Sequence, residues 1–191
     1  MERLTAISRM AEFRFHPVVS ADIPMLCEWL NRPHVAEVWD GEMTLASTRA
    51  LYDPLVATDR SVTACIAWRA GEPIGFIQSY VAAESGDGWW PDISDSGVLG
   101  IDQFLADEAS LGRGVGTRMI REFLAQLFTN PAVTRVQVDP SPGNARAIAC
   151  YEKCGFQRTG IVETPDGPAL LMVCGRDAWR TATEALPARK R

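Results

Sequence analysis

Leu111-Gly112-Arg113-Gly114-Val115-Gly116-Thr117 is a stretch whose residue types and order suit anion chemistry. It runs straight into Val115, Met119, Ile120, Phe123, Leu124, Leu127 and Phe128, whose spacing predicts a helix. Glycines let backbone N–H groups converge without a Cβ in the way. The first turn of a helix adds unsatisfied N–H groups and a positive dipole end. The combination is an anion cradle best suited to a pyrophosphate, and Arg113 and Arg118 can add charge. There is no Gly-Lys-Ser/Thr and no third glycine in the dinucleotide register, so neither common nucleotide loop is present. Taken alone, the loop also fits a glycine-rich turn that only lets the helix pack.

A second set of residues is acidic. Asp87, Asp102, Asp139 and Asp166 stand where loops meet strand ends, each beside Gly, Pro or Gln, with Tyr80, Trp89 and Trp90 near the first two in sequence. Asp87-Gly88 and Asp166-Gly167 are equally well explained by turn chemistry. Asp102 is not, because it interrupts an apolar strand, where a carboxylate is disfavoured unless it has a job or a partner.

The elements that must position these groups follow from the pattern. Phe13 to Val19 alternates as a first strand. Asp22 is placed to cap a helix carrying Leu26, Trp29 and Leu30 and ending near Asn31-Arg32-Pro33. His34 to Glu42 reads as irregular, and a helix from Thr44 to Ala57 is expected to break or bend at Asp53-Pro54. Val62 to Trp68 and Pro73 to Val81 are strands joined at Ala70-Gly71-Glu72. Ala82 to Ser96 is a polar loop and Val98 to Phe104 a fourth strand. After the helix of the glycine loop, Thr134 to Val138 is a strand, Asn144 caps a helix ending at Gly155, and Phe156 to Val162 with Ala169 to Cys174 form a closing hairpin over Asp166-Gly167. The order predicts a mixed α/β (α+β) sheet of about seven strands with four to five helices, not a uniform βαβ alternation. A flexible leader (1–12), one domain (13–180) and a tail (181–191) are expected.

Composition excludes some partners. A net charge of −5 over 191 residues argues against a general nucleic-acid binder. No stretch is apolar enough to span a bilayer, and the first residues lack a signal core, so a cytoplasmic protein without a membrane partner is expected. Five cysteines (Cys27, Cys65, Cys150, Cys154, Cys174) follow no framework spacing, which fits a reducing compartment. Cys150 and Cys154 lie one helical turn apart. With His16 and His34 both distant in sequence, the pair reads as two small buried residues, and no metal is expected.

Two blocks carry a family resemblance. The loop resembles the acetyl-CoA signature Gln/Arg-x-x-Gly-x-Gly/Ala of the GNAT superfamily, with Leu111 in place of the first polar residue. Asn144-Ala145-Arg146-Ala147-Ile148-Ala149-Cys150-Tyr151-Glu152-Lys153-Cys154-Gly155-Phe156 is similar to its Asn-x-x-Ala-x-x-x-Tyr-x-x-x-Gly-Phe block. Ser85-Gly86-Asp87-Gly88-Trp89-Trp90, Gly100-Ile101-Asp102-Gln103, Asp139-Pro140-Ser141-Pro142 and Thr164-Pro165-Asp166-Gly167-Pro168-Ala169 further resemble the aminoglycoside 6'-N-acetyltransferases. The likeness covers nearly the whole chain from Phe15 to about Trp179.

The resemblance implies the GNAT acyl-CoA N-acyltransferase fold. It implies transfer of acetyl from acetyl-CoA, as co-substrate, to the 6'-amino group of an aminoglycoside, conferring resistance. In the family the amine attacks the thioester directly, so no protein nucleophile is needed. Carried over, it makes Asp102 the base, directly or through water, and Tyr151 the acid for the thiolate; a buried helix aromatic is the other reading of Tyr151. Gln103, Phe104, Leu105, Leu111, Gly112, Arg113, Gly114, Val115, Gly116, Thr117, Asn144, Ala147, Tyr151 and Lys153 become candidates for acetyl-CoA. Trp39, Tyr52, Gln78, Tyr80, Ser85, Asp87, Trp89, Trp90, Asp102, Asp139 and Asp166 become candidates for the aminoglycoside. A polycation of amino sugars needs carboxylates, and rings to cover its sugar faces. Trp29 and Trp68 lie on core periodicity. Trp89 and Asp166 hold the family's usual residues, so no quinolone acetylation is expected. The alternatives are a GNAT enzyme acting on a polyamine or a protein N-terminus, and a non-catalytic binder. A monomer or a homodimer fits equally.

Overall fold

The computed structural model describes residues 11–39, 42–57, 61–86 and 88–184. Seven strands make one sheet in the order β1-β2-β3-β4-β5-β7-β6. They are β1 (Phe13–Pro17), β2 (Val62–Arg69), β3 (Glu72–Val81), β4 (Val98–Leu105), β5 (Arg135–Val138), β6 (Gln157–Thr164) and β7 (Gly167–Gly175). Six helices accompany them among the described residues: α1 (Ile23–Leu30), α2 (Pro33–Ala36), α3 (Leu45–Ala57), α4 (Val115–Leu127), α5 (Ala145–Lys153) and α6 (Arg176–Glu184). β4 and β5 pair in parallel, while β1–β2, β5–β7 and β6–β7 are antiparallel. The expected 13–180 stretch comprises two compact units, residues 1–78 with 103–111, and residues 79–102 with 112–191.

The first unit is built around an aromatic core. Ile23, Leu26, Trp29 and Leu30 form the buried stripe of α1. With Val18, Val35, Tyr52, Ile66, Phe76 and Phe104 they make one apolar cluster. The ring pairs interlock, Phe76 stacking on Phe104 at 5.5 Å and Tyr52 meeting Phe76 edge-on at 5.5 Å. Burying each such side chain contributes about 1.5–3 kcal/mol. Asp22 stands at the N-cap of α1, as the spacing predicts, but its side chain makes no capping bond to the helix. Asp22 also ends a 3-10 turn (Ser20–Asp22), and its Oδ2 accepts from the Val19 N–H at 3.0 Å. The stretch expected to be irregular contains α2, because extended Arg32 delivers Pro33 to a helix's first position, where a missing N–H costs nothing. α3 continues through Pro54 to Ala57. Thr44 Oγ1 and Ser47 cap its start reciprocally, the Ser47 N–H donating to Thr44 Oγ1 at 3.1 Å and the Thr44 N–H to Ser47 Oγ at 2.9 Å. Ala70-Gly71 is a two-residue hairpin turn with φ of 52° and 88°, both positive as the twist of the strands requires. Glu12, in the expected leader, pairs with Arg69 at 2.7 Å. The rest of the leader, residues 1–10, and positions 185–191 of the tail lie outside the described residues.

In the second unit the predicted stripe of α4 is buried at Val115, Met119, Ile120, Phe123 and Leu124. Arg176 closes the end of this helix. Its guanidinium donates to the carbonyls of Phe128, Asn130 (2.8 Å) and Val133 (3.0 Å) and lies over the Phe128 ring. Thus the first residue of α6 ties the C-cap carbonyl of α4 to two carbonyls of the loop that follows it. Among the described residues no helix is long and apolar enough to cross a membrane.

Candidate active site

In the second unit the glycine loop has the conformation an anion cradle requires. Gly112 and Gly114 have φ of 70° and 71°, and Gly114 is the N-cap of α4, its carbonyl accepting from the Arg118 N–H at 3.1 Å. Both need the left-handed region that side chains avoid. The N–H groups of Val115, Gly116 and Thr117 make up the first turn, which has no acceptors within the helix. Gly112, Arg113 and Gly114 are exposed, so the turn does not exist merely to bury the helix. Arg118 bends back to the Arg113 carbonyl at 3.4 Å. These features fit the pyrophosphate of a coenzyme.

The second block of the resemblance lies on α5. Asn144 is its N-cap, the side-chain oxygen accepting from the Ala147 N–H at 3.0 Å. Ala147 is half-buried and Lys153 is exposed at the last turn, its carbonyl taken by Arg121. Tyr151 is buried, 7% exposed, with its ring 5.4 Å from that of Phe156.

The carboxylates gather in the same unit. Asp102 is half-buried on β4. Asp139 is half-buried just after β5, and Asp166 is exposed in the β6–β7 turn, where Thr164 Oγ1 donates to the Gly167 carbonyl at 2.7 Å. Burial first, and the charges of Asp102 and Asp166 after it, raise the Asp139 carboxyl from 3.8 to about 7. That shift requires the three acids to share one region. The Trp segment reaches it as well: a Cβ added at Gly88 would lie 3.8 Å from Pro165, in the turn that carries Asp166.

Tyr80 joins these parts. Its hydroxyl accepts from the Trp90 indole N–H at 3.3 Å. Burial, then Asp102 and Asp139, push its phenol far above the usual range, so it stays protonated. The ring crosses directly over Gly100, and a methyl at that position would land on its carbons and oxygen. Glycine at position 100 is therefore what lets Tyr80 reach Trp90. Trp90 is held at φ 50°, a strained value for a bulky residue, while 9% exposed against Ala82 and Val98. Trp89 is half-buried beside it, with ring centroids 6.0 Å apart, and Ser85 Oγ donates to the Val81 carbonyl at 3.5 Å. Asp87 lies outside the described residues.

The remaining candidates belong to the first unit and have other surroundings. Tyr52 is 2% exposed and its ring belongs to the core cluster. It faces inward from α3 onto Phe76, a direction its weakly periodic helix did not reveal. Trp39 is partly buried edge-on to Phe76 and Phe104, the latter at 5.2 Å. Gln78 and Gln103 are half-buried, Phe104 and Leu105 are each 7% exposed, and Leu111 follows a 3-10 turn in extended conformation. The end of β4 is fixed by two residues that sequence reasoning missed. His34 Nε2 lies 2.9 Å from the Leu105 carbonyl, and Arg32 Nη1 donates to the Ala106 carbonyl at 2.7 Å while pairing with Glu28 at 2.9 Å. No sequence signal could find these bonds, which join positions 71 and 74 residues apart.

A cradle before a helix, a capped second helix bearing a buried tyrosine and a cluster of acids are parts of an acyltransferase. The acetyltransferase (GNAT) domain family matches residues 18–164, and the chain belongs to that family. It is 55% identical over 161 residues to the aminoglycoside N(6')-acetyltransferase type 1 of Klebsiella pneumoniae, covering 83% of this chain and 80% of that one. A crystal structure of aminoglycoside acetyltransferase AAC(6')-Ib in complex with coenzyme A and kanamycin is 51% identical, with a TM-score of 0.84 over 88% of this chain and 98% of that one. The lysine N-acyltransferase MbtK of Mycobacterium tuberculosis is 28% identical over 144 residues, 75% of this chain and 68% of that one.

Proposed function

We propose that this chain transfers acetyl from acetyl-CoA to the 6'-amino group of aminoglycoside antibiotics. The observation that carries the reading is the grouping of Asp102, Asp139 and Asp166, with Tyr80 beside the first two and bonded to Trp90, in a chain 55% identical to an aminoglycoside N(6')-acetyltransferase. Carboxylates neutralise ammonium groups and aromatic rings cover sugar faces.

Acetyl-CoA, when bound, supplies a thioester acyl group. The N–H groups following Gly112 and Gly114 hold its pyrophosphate, and Asn144, Ala147 and Lys153 border it from α5. Gln103, Phe104 and Leu105 are the strand-end residues for its pantetheine arm. The attacking amine must first be neutral. Carboxylates hold an ammonium but also stabilise its protonated form. Asp102 resolves this by taking the proton, directly or through water, from its half-buried place on β4. Tyr151 delivers a proton to the departing sulfur. The Asp139 carboxyl, raised to about 7 by burial and by Asp102 and Asp166, ionises more readily once a cation lies beside it. Trp89 and Trp90 bound the sugar-binding face.

Release of CoA thiol from acetyl-CoA in the presence of kanamycin or tobramycin tests the reading. Turnover with these, and none with spermidine or a peptide amine, is the expected result. Equal turnover of spermidine with no aminoglycoside activity would replace it.

A further inference from the structure

Two thiols on one face of α5 hold a residue of the glycine loop's helix. Cys150 Sγ lies 3.2 Å from Thr117 Oγ1, and Cys154 Sγ donates to the Thr117 carbonyl at 3.5 Å. Thr117 directly follows Gly116 in the first turn of α4, so both cysteines grip the segment that carries the cradle. The sequence pattern suggests two small buried residues. Only Cys154 is fully buried; Cys150 is half-buried.

The two sulfurs are also chemically unequal. The Cys154 thiol and the Thr117 hydroxyl face Cys150, with Lys153 on its own helix and Arg121 on α4 as the nearby cations. Against burial, these stabilise the Cys150 thiolate and lower its pKa, the Cys154 hydrogen bond most. Cys154 is shifted the other way, by its bond to Cys150 first and by burial next, with Cys174 on β7 adding to the rise. Cys65 and Cys174 are both raised by burial, to about 11 and about 12. A half-buried thiol whose ionisation its neighbours favour, beside a buried partner whose ionisation burial opposes, is the arrangement of an oxidant-sensing pair. Residues four apart on a helix have Cα atoms about 6 Å apart, within the span a disulfide bridges, but Cβ atoms about 5–6 Å apart, so forming the bridge must draw the last turn of α5 in by about 1–2 Å.

We propose that Cys150 and Cys154 form a reactive dithiol site for hydroperoxides, and that its oxidation loosens the acetyl-CoA cradle through Thr117. The Cys150 thiolate attacks one peroxide oxygen, the O–O bond breaks, and the departing hydroxide takes a proton to become water. Cys154 sulfur, losing its proton, then attacks the sulfenic sulfur; the S–O bond breaks, and the hydroxide leaves with that proton as a second water as the S–S bond forms. Each sulfur is oxidised by one electron and the two peroxide oxygens are reduced. The disulfide removes the S–H that the Thr117 carbonyl accepts from and the thiolate that faces the Thr117 hydroxyl. The cradle part of the proposal rests on the acetyl-CoA reading of the loop.

Lys153 stands between the two cysteines, so trypsin separates them into peptides 147–153 and 154–158 unless a disulfide joins them. The full chain is treated with hydrogen peroxide, digested without reductant and analysed by mass spectrometry, while coenzyme A binding is followed by calorimetry. A joined 147–153/154–158 pair is expected before oxidation at Cys27 or Cys65. Coenzyme A affinity should fall about tenfold, the scale of two lost hydrogen bonds, and return with dithiothreitol. Cys150→Ser should bind coenzyme A normally and ignore peroxide, and Cys154→Ala should stop at sulfenic or higher acids on Cys150. Oxidation elsewhere without the joined pair overturns the proposal, as does a joined pair with unchanged affinity. If the untreated chain binds no coenzyme A, the acetyl-CoA reading fails, and the peptide pair still decides the dithiol chemistry.

Discussion

The two compact units use the same aromatic residue types for opposite ends. In the first, Tyr52, Phe76, Phe104 and Trp29 pack on one another in an apolar cluster. In the second, Tyr80 and Trp90 are joined through their polar atoms, and Tyr80 sits beside Asp102 and Asp139. A ring packed on rings contributes stability through burial alone. A ring beside carboxylates must be held in place by hydrogen bonds, and the acids around it cost stability until a cation arrives. The ring's type does not separate the two roles; its neighbours across the sheet do.

Removing a ring from the first unit should produce the largest effect. Tyr52→Ala leaves a cavity against Phe76 and should lower unfolding free energy by about 3–5 kcal/mol. Denaturant unfolding measures it, and the KM for kanamycin of the protein that remains folded should stay within twofold. A large rise in KM would place Tyr52 in the sugar site after all and break the comparison.

Asp102→Asn should show the reverse pattern. Loss of a general base costs roughly 10²–10⁴-fold in turnover. Stability should hold or rise, because one charge leaves a crowded acidic region. Acetyl-CoA affinity by calorimetry should not move. An unchanged rate in the thiol-release assay would transfer the proton-accepting role to another acid or to water.

Gly100→Ala probes the device that keeps the second unit's rings in place. The added methyl displaces Tyr80, so Trp90 loses its acceptor. Overpacking of this kind costs about 1–3 kcal/mol. Aminoglycoside KM should rise more than kcat falls, and the Trp90 indole N–H resonance should shift. Tyr80→Phe should reproduce the indole shift with little loss of stability. An unmoved resonance in both variants would mean that Trp90 is held by burial alone.

These contrasts also set what the sequence could tell. The stripe of α4 was legible because a single face of one helix carries it, and the β6–β7 turn because Asp166-Gly167 marks it. Asp102 was legible because a carboxylate breaks an apolar strand. The inward direction of Tyr52 was not legible because α3 has too weak a pattern to show which way its aromatic faces. The passage of Tyr80 over Gly100 depends on strand register, and the bonds of Arg32 and His34 to the end of β4 depend on tertiary contact. α2 and the 3-10 turns are too short for periodicity to register.

The smallest expected effect tests whether the acids of the second unit strain the fold. The Asp139 carboxyl is raised from 3.8 to about 7, so between those values the folded chain holds a proton that the unfolded chain has released. Stability therefore falls as pH rises from about 4 to about 7, and the full cost persists above that. Asp139→Asn has no such proton. Its stability should lie close to the parent's near pH 4 and exceed it increasingly up to pH 8. The gap should be on the order of 1 kcal/mol, since water screens a half-buried group. Thermal melts at the two pH values measure it, and the same substitution should weaken kanamycin binding at pH 8 more than at pH 6. A Tm gap that is the same at both pH values would mean that Asp139 ionises in the ordinary carboxylate range. The acids would then bind cations without costing the fold anything, and the contrast with the apolar first unit would be one of position alone.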